Sequence, residues 1–186
     1  MNKAIFNNTV LALLKAAPGL GSVQINKGLI MIDAIYHAHF KKTLTGITYI
    51  KHWFGPVPDF EAKDELYRME FDKIKVTKER IGSVTKNAHY AIYNPDYSVL
   101  PLKAIEIIQE VAFFITGKQA GKLSNITHDA VYENTHMGEV IPIEAIYSHE
   151  PDTSPWTQQE RADATKILEE ISDNAQFDLS RFYAQG

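Results

Sequence analysis

Apolar residues in the first forty positions recur at the spacing of an amphipathic helix, and they predict two helices. The first covers residues 2–17, with an apolar stripe made of Ile5, Phe6, Val10, Leu13 and Ala17. The sequence Pro-Gly-Leu-Gly at residues 18–21 ends it, because proline lacks a backbone donor and glycine tolerates left-handed dihedrals. The second covers residues 24–40, with a stripe made of Ile25, Leu29, Ile32, Tyr36 and Phe40. Both stripes are expected to face a core.

Three further helices are indicated later in the chain. One covers residues 60–71, and another covers residues 102–116 between Pro101 and Gly117. The apolar stripe of the helix at residues 102–116 is Ile105, Ile108, Ala112 and Ile115. The last helix starts at a capping box, Thr-Gln-Gln-Glu at residues 157–160, in which two side chains satisfy each other's backbone donors. Its apolar face is Ala164, Ile167, Leu168 and Ile171.

The segment 71–93 changes from a helical to an alternating pattern. Ile74 and Val76 alternate with polar residues, and a second strand is predicted through residues 89–93. This pattern predicts a small antiparallel ribbon with one wet, basic face. Residues 43–60 are expected to be extended and to end in a turn. The expected fold class is therefore α+β and mainly α-helical: a helical domain with a small inserted antiparallel β-ribbon.

The length of 186 residues fits one domain, or one domain with an appended helix. The sequence Pro-Asp-Thr-Ser-Pro at residues 151–155 is the plausible linker. We therefore expect a domain over residues 1–149. Residues 150–186 are expected to form a capped, acidic helical extension that is packed on this domain or appended to it.

Composition and charge exclude several classes of protein. Cysteine is absent, which rules out disulfides, thiolate metal sites and cysteine nucleophiles. The N-terminal residues do not open a signal peptide, and the apolar run at residues 10–14 is too short to span a membrane, so a cytoplasmic location is expected. The net charge of −4 repels nucleic acid and anionic membranes.

The common signatures of catalysis are missing. The sequence contains no Gly-rich phosphate loop ending in Gly-Lys-Ser/Thr and no Gly-x-Ser-x-Gly elbow. His128, His136 and His149 could assemble a metal site with neighbouring acids, but their spacing matches none of the short metal motifs. We expect no catalytic residue, no metal and no cofactor. A metal-dependent hydrolase centred on His128 is the less favoured alternative.

The ribbon provides a second alternative, a DNA-binding regulator. Residues 71–90 hold five basic residues against Asp72 and Glu79, with Tyr90 and Tyr93 interleaved. A two-stranded ribbon can enter a major groove. Edge strands, however, routinely carry lysine to block sheet-to-sheet association, and the whole chain is acidic.

Two large aromatic residues stand beside a stiff turn. Trp53 and Phe54 precede Gly55, Pro56 and Pro58. Rigid aromatic anchors next to a fixed backbone are typical of protein interfaces. The alternative is that both rings simply cap the core.

Several motifs, in their order along the chain, resemble a known family. They are KGLIMIDAIY at residues 27–36, LTG at 44–46, Tyr-x-x-x-Trp-Phe-Gly-Pro-Val-Pro at 49–58, KLSNITHD at 122–129 and GEVIP at 138–142. This order is similar to the Panacea domain, the SocA-like antitoxin family that is also met in phage-associated proteins. The resemblance covers about residues 5–147. One departure is that the family's Ser/Thr-His element usually leads to a tryptophan, where this chain has Val131 and Tyr132.

The resemblance implies a non-enzymatic antitoxin of a bacterial or prophage toxin–antitoxin system. Such a protein neutralises its cognate toxin, encoded by an adjacent gene, by direct protein–protein binding. The family pairs with many unrelated toxins, so the partner is not inherited, and the extension 150–186 could carry partner specificity. The expected partner-binding residues are Trp53, Phe54, Gly55, Pro56, Pro58, His128, Tyr132 and Trp156.

Overall fold

A computed structural model describes residues 1–81, 84–128 and 130–143, and this part of the chain is mainly helical. Its helices are α1 (Lys3–Ala16), α2 (Ser22–Phe40), α3 (Phe60–Asp72), α4 (Leu102–Ile115), α5 (Ala120–Ile126) and α6 (Ala130–Asn134), with a 3-10 turn at Tyr97–Val99. Its strands are β1 (Tyr49–Ile50), β2 (Val57–Pro58), β3 (Ile74–Ile81) and β4 (Val84–Ala91). β1 pairs with β2 in one two-stranded antiparallel sheet, and β3 pairs with β4 in another. The prediction of a mainly helical α+β fold with an inserted antiparallel ribbon is confirmed.

The core lies where α1, α2 and α4 pack against one another. The predicted apolar stripes supply it, and Leu13, Leu29 and Ile115 are all buried. Gly28 of α2 faces both neighbouring helices: a Cβ atom there would lie 2.9 Å from Leu13 Cδ2 and 3.2 Å from Ile115 Cδ1. Glycine therefore lets these three helices approach closely, and α2 becomes the central element of the described chain.

Side-chain caps fix the starts of α1 and α3. Asn2 Oδ1 accepts a hydrogen bond from the Ile5 backbone N–H at 3.3 Å, and Asp59 Oδ1 accepts one from the Ala62 N–H at 3.0 Å. The second cap matters for the site described below, because Asp59 directly follows β2 and its own N–H donates to the Thr48 carbonyl at 2.9 Å.

The inserted ribbon differs from the prediction in its second strand and in its faces. The strand β4 begins at Val84 and ends at Ala91, so Ile92 and Tyr93 lie beyond it and are exposed. Its register runs from Ile74 opposite Ala91 to Ile81 opposite Val84. Only the end of the ribbon nearest α1 and α3 is covered. Exposed basic residues therefore occur on both faces, at Lys75 on one and at Lys78 and Arg80 on the other, and the prediction of one wet, basic face was wrong.

One residue of the apolar stripe predicted for α2 is not in the core. Phe40 is 44% exposed, because it is the last residue of α2 and lies beyond the end of the packed region. It contacts the ring of Tyr36 at a centroid distance of 4.5 Å. The stripe thus predicted burial correctly along α2 but not at its terminus.

The end of the chain lies outside the described residues. This applies to the predicted linker 151–155, to Trp156 and to the capped helix after it, so the extension 150–186 and the domain boundary stay predictions. Within the described ranges, no helix is both long enough and apolar enough for a membrane span.

Candidate functional site

Trp53 and Phe54 lie at the surface on the loop between β1 and β2. We call residues 51–56 the aromatic loop. Trp53 is 75% exposed and Phe54 is 63% exposed. The two strands hold the base of the loop through the antiparallel pairs Tyr49–Pro58 and Ile50–Val57. The prediction that these rings are surface residues is confirmed, and the alternative that they cap the core was wrong; their role in binding stays a prediction.

The backbone of the aromatic loop turns at Gly55, which has φ = +85°. Its N–H donates to the His52 carbonyl at 2.8 Å and closes the turn. A Cβ atom on Gly55 would collide with Lys27 Nζ and would lie 2.8 Å from Thr127 Oγ1. Only glycine combines this left-handed backbone with such close packing, so the turn is fixed from below by α2 and by the segment after α5.

Replacing Gly55 with alanine is expected to lower the free energy of unfolding by roughly 2–4 kcal/mol, as the sum of backbone strain and overpacking. Gly138→Ala is the matched control, because Gly138 has φ = +82° and a Cβ there would meet nothing within 4 Å. The control should lose only about 1–2 kcal/mol of backbone strain. Urea denaturation measures both variants. Equal losses would contradict the close packing under Gly55.

Lys27 is buried beneath the aromatic loop. Its side chain leaves α2 and is 1% exposed, and Nζ donates to the Pro56 carbonyl at 2.9 Å. None of the ion pairs among the described residues includes Lys27. Burial without a counter-charge lowers the pKa of Lys27 from 10.5 to about 7. The lysine thus joins the loop to α2 and gives up its proton far more readily than an exposed lysine.

The stability of the protein is expected to rise with pH above 7 through Lys27. In the unfolded chain this amine keeps its proton up to about pH 10.5, whereas in the folded chain it loses it near pH 7. Between these values the unfolded state binds more protons, so the free energy of unfolding rises by at most about 1.4 kcal/mol per pH unit. Lys27→Met removes this term, and the advantage of the wild type over the variant should grow from pH 7 to pH 10.

Urea denaturation at several pH values tests this expectation. Lys75→Met is the control, because Lys75 is exposed on the ribbon and its replacement removes a lysine away from the buried site. Parallel pH profiles for the wild type and Lys27→Met would contradict an uncompensated buried amine.

His128 and Tyr132 support the loop from the other side. Their rings are stacked, with centroids 4.1 Å apart and an interplanar angle of 9°. Tyr132 is buried and its hydroxyl donates to the His52 carbonyl at 2.7 Å. Lys51 Nζ lies 4.3 Å from the centroid of the Tyr132 ring. The start of the aromatic loop is therefore tied to Tyr132, on which His128 is stacked.

The electrostatics of this region favour a neutral His128. Burial lowers the pKa of His128, and the nearby charge of Lys27 lowers it further. Its Nε2 atom and the Nδ1 atom of His52 are both buried, and neither has a hydrogen-bond partner in the described part of the chain. Two polar atoms near Lys27 are thus left without partners there.

Two hollows flank the ring of Phe54, which lines both. One has a volume of about 190 Å³ and is also lined by Lys27, His52 and Lys63. The other has a volume of about 420 Å³ and is lined by Trp53, His128 and residues of α5, namely Ala120, Gly121 and Ser124. Phe54 thus forms a ridge between a basic hollow and a larger one.

The expected site residues that the structure describes lie close together. They are of two kinds, exposed and buried. Trp53 and Phe54 are exposed, whereas Gly55, Pro56, Pro58 and Tyr132 are buried beneath them. The buried group fixes the loop in the free chain and presents little side-chain surface. Trp156 lies outside the described residues.

Sequence reasoning missed Lys27 and His52. The available signal for the lysine was its position within α2, the apolar helix of the family motif. A lysine there is ordinarily interpreted as exposed. Its burial depends on the aromatic loop folding over it, which no local pattern reveals.

The described residues give no specific support to the two alternatives. They contain no group of three or more His, Asp or Glu placed to hold a metal, and His136 pairs with Glu139 at the surface at 3.3 Å. Some polar groups of the ribbon are engaged within the chain: Lys86 Nζ donates to the Gly19 carbonyl at 2.7 Å, and Tyr90 donates to Glu79. The regulator and the hydrolase stay alternatives that nothing here tests.

Comparison with known proteins identifies the family. A family model described as antitoxin SocA-like, Panacea domain, matches residues 25–133. The match includes Lys27, the aromatic loop, His128 and Tyr132, and it leaves out α1 although α1 packs into the core. No significant match was found among curated proteins or among solved structures. Because the family model covers more than half of the sequence, the chain belongs to the SocA-like antitoxin family with a Panacea domain.

Proposed function

We propose that this chain is the antitoxin of a bacterial or prophage toxin–antitoxin system and that it neutralises a cognate toxin by direct protein–protein contact. Membership of the SocA-like family supports the antitoxin role. The observation that carries the contact is the pair of exposed rings, Trp53 at 75% and Phe54 at 63%, on a loop whose backbone is fixed.

The fixed backbone matters energetically. Ordering a flexible loop on binding opposes association, and a loop that is already held loses less entropy. Here Lys27 holds the Pro56 carbonyl, Tyr132 holds the His52 carbonyl, and the β1–β2 pairs close the base. Burial of Trp53 and Phe54 in a partner would therefore contribute most of its hydrophobic free energy to affinity.

The proposed action is stoichiometric binding and not catalysis, and it takes place in the cytoplasm, where the toxin is made. The hollow of about 420 Å³ beside Trp53 and Phe54 can receive side chains of the toxin. The surface thus offers both ridges and a depression, as protein interfaces commonly do.

Co-expression with the adjacent gene tests the function. The product of the gene next to the one that encodes this chain is placed under an inducible promoter, with the chain supplied from a second promoter. Induction of the neighbour alone should arrest growth, and the intact chain should restore growth and co-purify with the toxin. A stop codon early in the chain's gene is the control. Failure of the intact chain to restore growth in the presence of a toxic neighbour would contradict the proposal.

A further inference from the structure

A basic cavity lies beneath the aromatic loop. Its volume is about 190 Å³, and its polar lining comes from Lys27, His52, Lys63 and Asn26. The remaining lining residues, Val23, Phe54 and Val57, are apolar. Among the described residues that line this cavity, none is acidic. A cavity wall with basic groups and no acid is suited to an anion.

Lys27 is the chemical centre of this cavity. An ammonium group has three donors, and the Pro56 carbonyl is the one acceptor within hydrogen-bonding distance among the described residues. His52 also lines this cavity, and the ring of His128 lies next to Gly55; each has a buried ring nitrogen that lacks a partner among the described residues. The charges of Lys27 and Lys51 lower the pKa of His128, and the charge of Glu133 raises it. The lysine therefore has capacity for a further acceptor.

We infer that this cavity receives the carboxylate of an aspartate or glutamate side chain of the toxin, which pairs with Lys27. The inference rests on the proposed function. A charged hydrogen bond between an ammonium and a carboxylate is strong where water is excluded, and Phe54, which lines the cavity, would exclude water once the toxin covers it. The occupant is a protein side chain because the cavity opens beside the aromatic loop, so that one partner covers both.

Binding of a carboxylate stabilises the charged form of Lys27. The free chain holds this amine partly unprotonated at neutral pH, since its pKa is about 7. The complex must then take up a proton above that pH, and the affinity for the toxin falls by up to about tenfold per pH unit. A lysine that pairs with a carboxylate of the toxin gives this pH dependence of the affinity, whereas a lysine that only positions the loop does not.

The free chain tests the cavity without any toxin. NMR of a chain carrying lysine labelled with carbon-13 at Cε follows the titration of Lys27, assigned with Lys27→Met. In sodium acetate its pKa should be higher than in sodium chloride of equal ionic strength, whereas Lys75, which is exposed on the ribbon and does not line the cavity, should respond equally to the two salts. Equal values in the two salts would overturn the inference. A larger effect of inorganic phosphate than of acetate would overturn the assignment to a carboxylate.

Asp129 is adjacent to His128 in sequence and is the control for a carboxylate from the chain itself. If Asp129→Asn lowers the pKa of Lys27 in the free chain, the counter-charge is internal and the inference is overturned. An unchanged pKa supports an external carboxylate.

The second arm uses the toxin. The affinity of the intact chain should fall from pH 7 to pH 9, whereas that of Lys27→Met should be at least tenfold weaker at pH 7 and independent of pH. One Asp→Asn or Glu→Gln substitution in the toxin should reproduce the loss and add nothing to Lys27→Met.

If the intact chain neutralises the toxin and Lys27→Met does so equally well, the inference fails and the proposed function stands. If the intact chain does not bind the toxin, the proposed function fails, and so does the inference that rests on it.

Discussion

Asp33→Ala is expected to lower the free energy of unfolding by roughly 3 kcal/mol, because it leaves several buried donors without an acceptor. Asp33 is fully buried on α2. Its carboxylate accepts from the Leu44 N–H at 2.8 Å, the Thr45 N–H at 2.9 Å and the Tyr49 hydroxyl at 2.9 Å, and also from the Thr45 hydroxyl. Alanine removes all four bonds at once and leaves a cavity.

The loss is smaller than the sum of four bonds because a buried carboxylate carries its own desolvation cost. Burial raises the pKa of Asp33, and the hydrogen bonds from Thr45 and the other donors oppose that rise. Asp33→Asn separates geometry from charge. The asparagine Oδ1 can still accept from the Leu44 and Thr45 N–H groups, and its amide can donate to the two hydroxyl oxygens. We expect Asp33→Asn to lose only about 1 kcal/mol.

Urea denaturation of both variants measures these losses. Asp64→Ala is the surface control, because the pair of Asp64 with Arg68 at 2.8 Å is exposed and is worth about 1 kcal/mol or less. A loss for Asp33→Ala that is no larger than the loss for Asp64→Ala would contradict the network. A loss for Asp33→Asn equal to that for Asp33→Ala would show that the charge, and not the geometry, is required.

Phe54→Ala is expected to abolish or sharply weaken neutralisation while the fold remains. A buried interfacial aromatic contributes about 2 kcal/mol or more to binding, which corresponds to a loss of affinity of about 30-fold. Because Phe54 is 63% exposed in the free chain, its truncation should cost about 1 kcal/mol or less of stability. A core aromatic would instead cost about 3–5 kcal/mol.

Phe71→Ala is the matched control for this substitution. Phe71 lies on α3 and is 74% exposed, so the same atoms are removed from a similarly exposed site outside the aromatic loop. Neutralisation and melting temperature are measured on the same preparations. Equal neutralisation by Phe54→Ala and Phe71→Ala would contradict a role for the loop, and so would a fall in melting temperature large enough to explain the lost neutralisation.

The sequence predicted α1, α2 and α4 because each has a sustained apolar stripe, and proline or glycine also marks an end of α1 and of α4. The stripe of α2 and the Pro-Gly-Leu-Gly sequence after α1 are examples. α5 and α6 were missed, since helices of seven and five residues are too short to show a period. The strands β1 and β2 have two residues each, and their pairing is a tertiary event. The start of β4 was missed because Thr85, Lys86 and Asn87 are all polar.

The candidate site was predictable in its residues but not in their arrangement. The sequence could not decide whether Trp53 and Phe54 cap the core, because a stiff Gly-Pro turn serves either outcome. The answer depends on Lys27, which lies in the space beneath the turn. Tyr132 stacks on His128 and uses its hydroxyl to hold the His52 carbonyl.

Hydrogen exchange of the chain with and without its toxin shows which surface the toxin covers. The protein tested as the toxin is the product of an adjacent gene that arrests growth when it is expressed alone. If neutralisation is direct contact through the aromatic loop, amides in residues 51–58 and 120–128 should exchange more slowly in the complex, and those of the ribbon 74–91 should not change. Unchanged exchange in residues 51–58, with protection confined to the ribbon, would contradict the proposal that the aromatic loop binds the toxin.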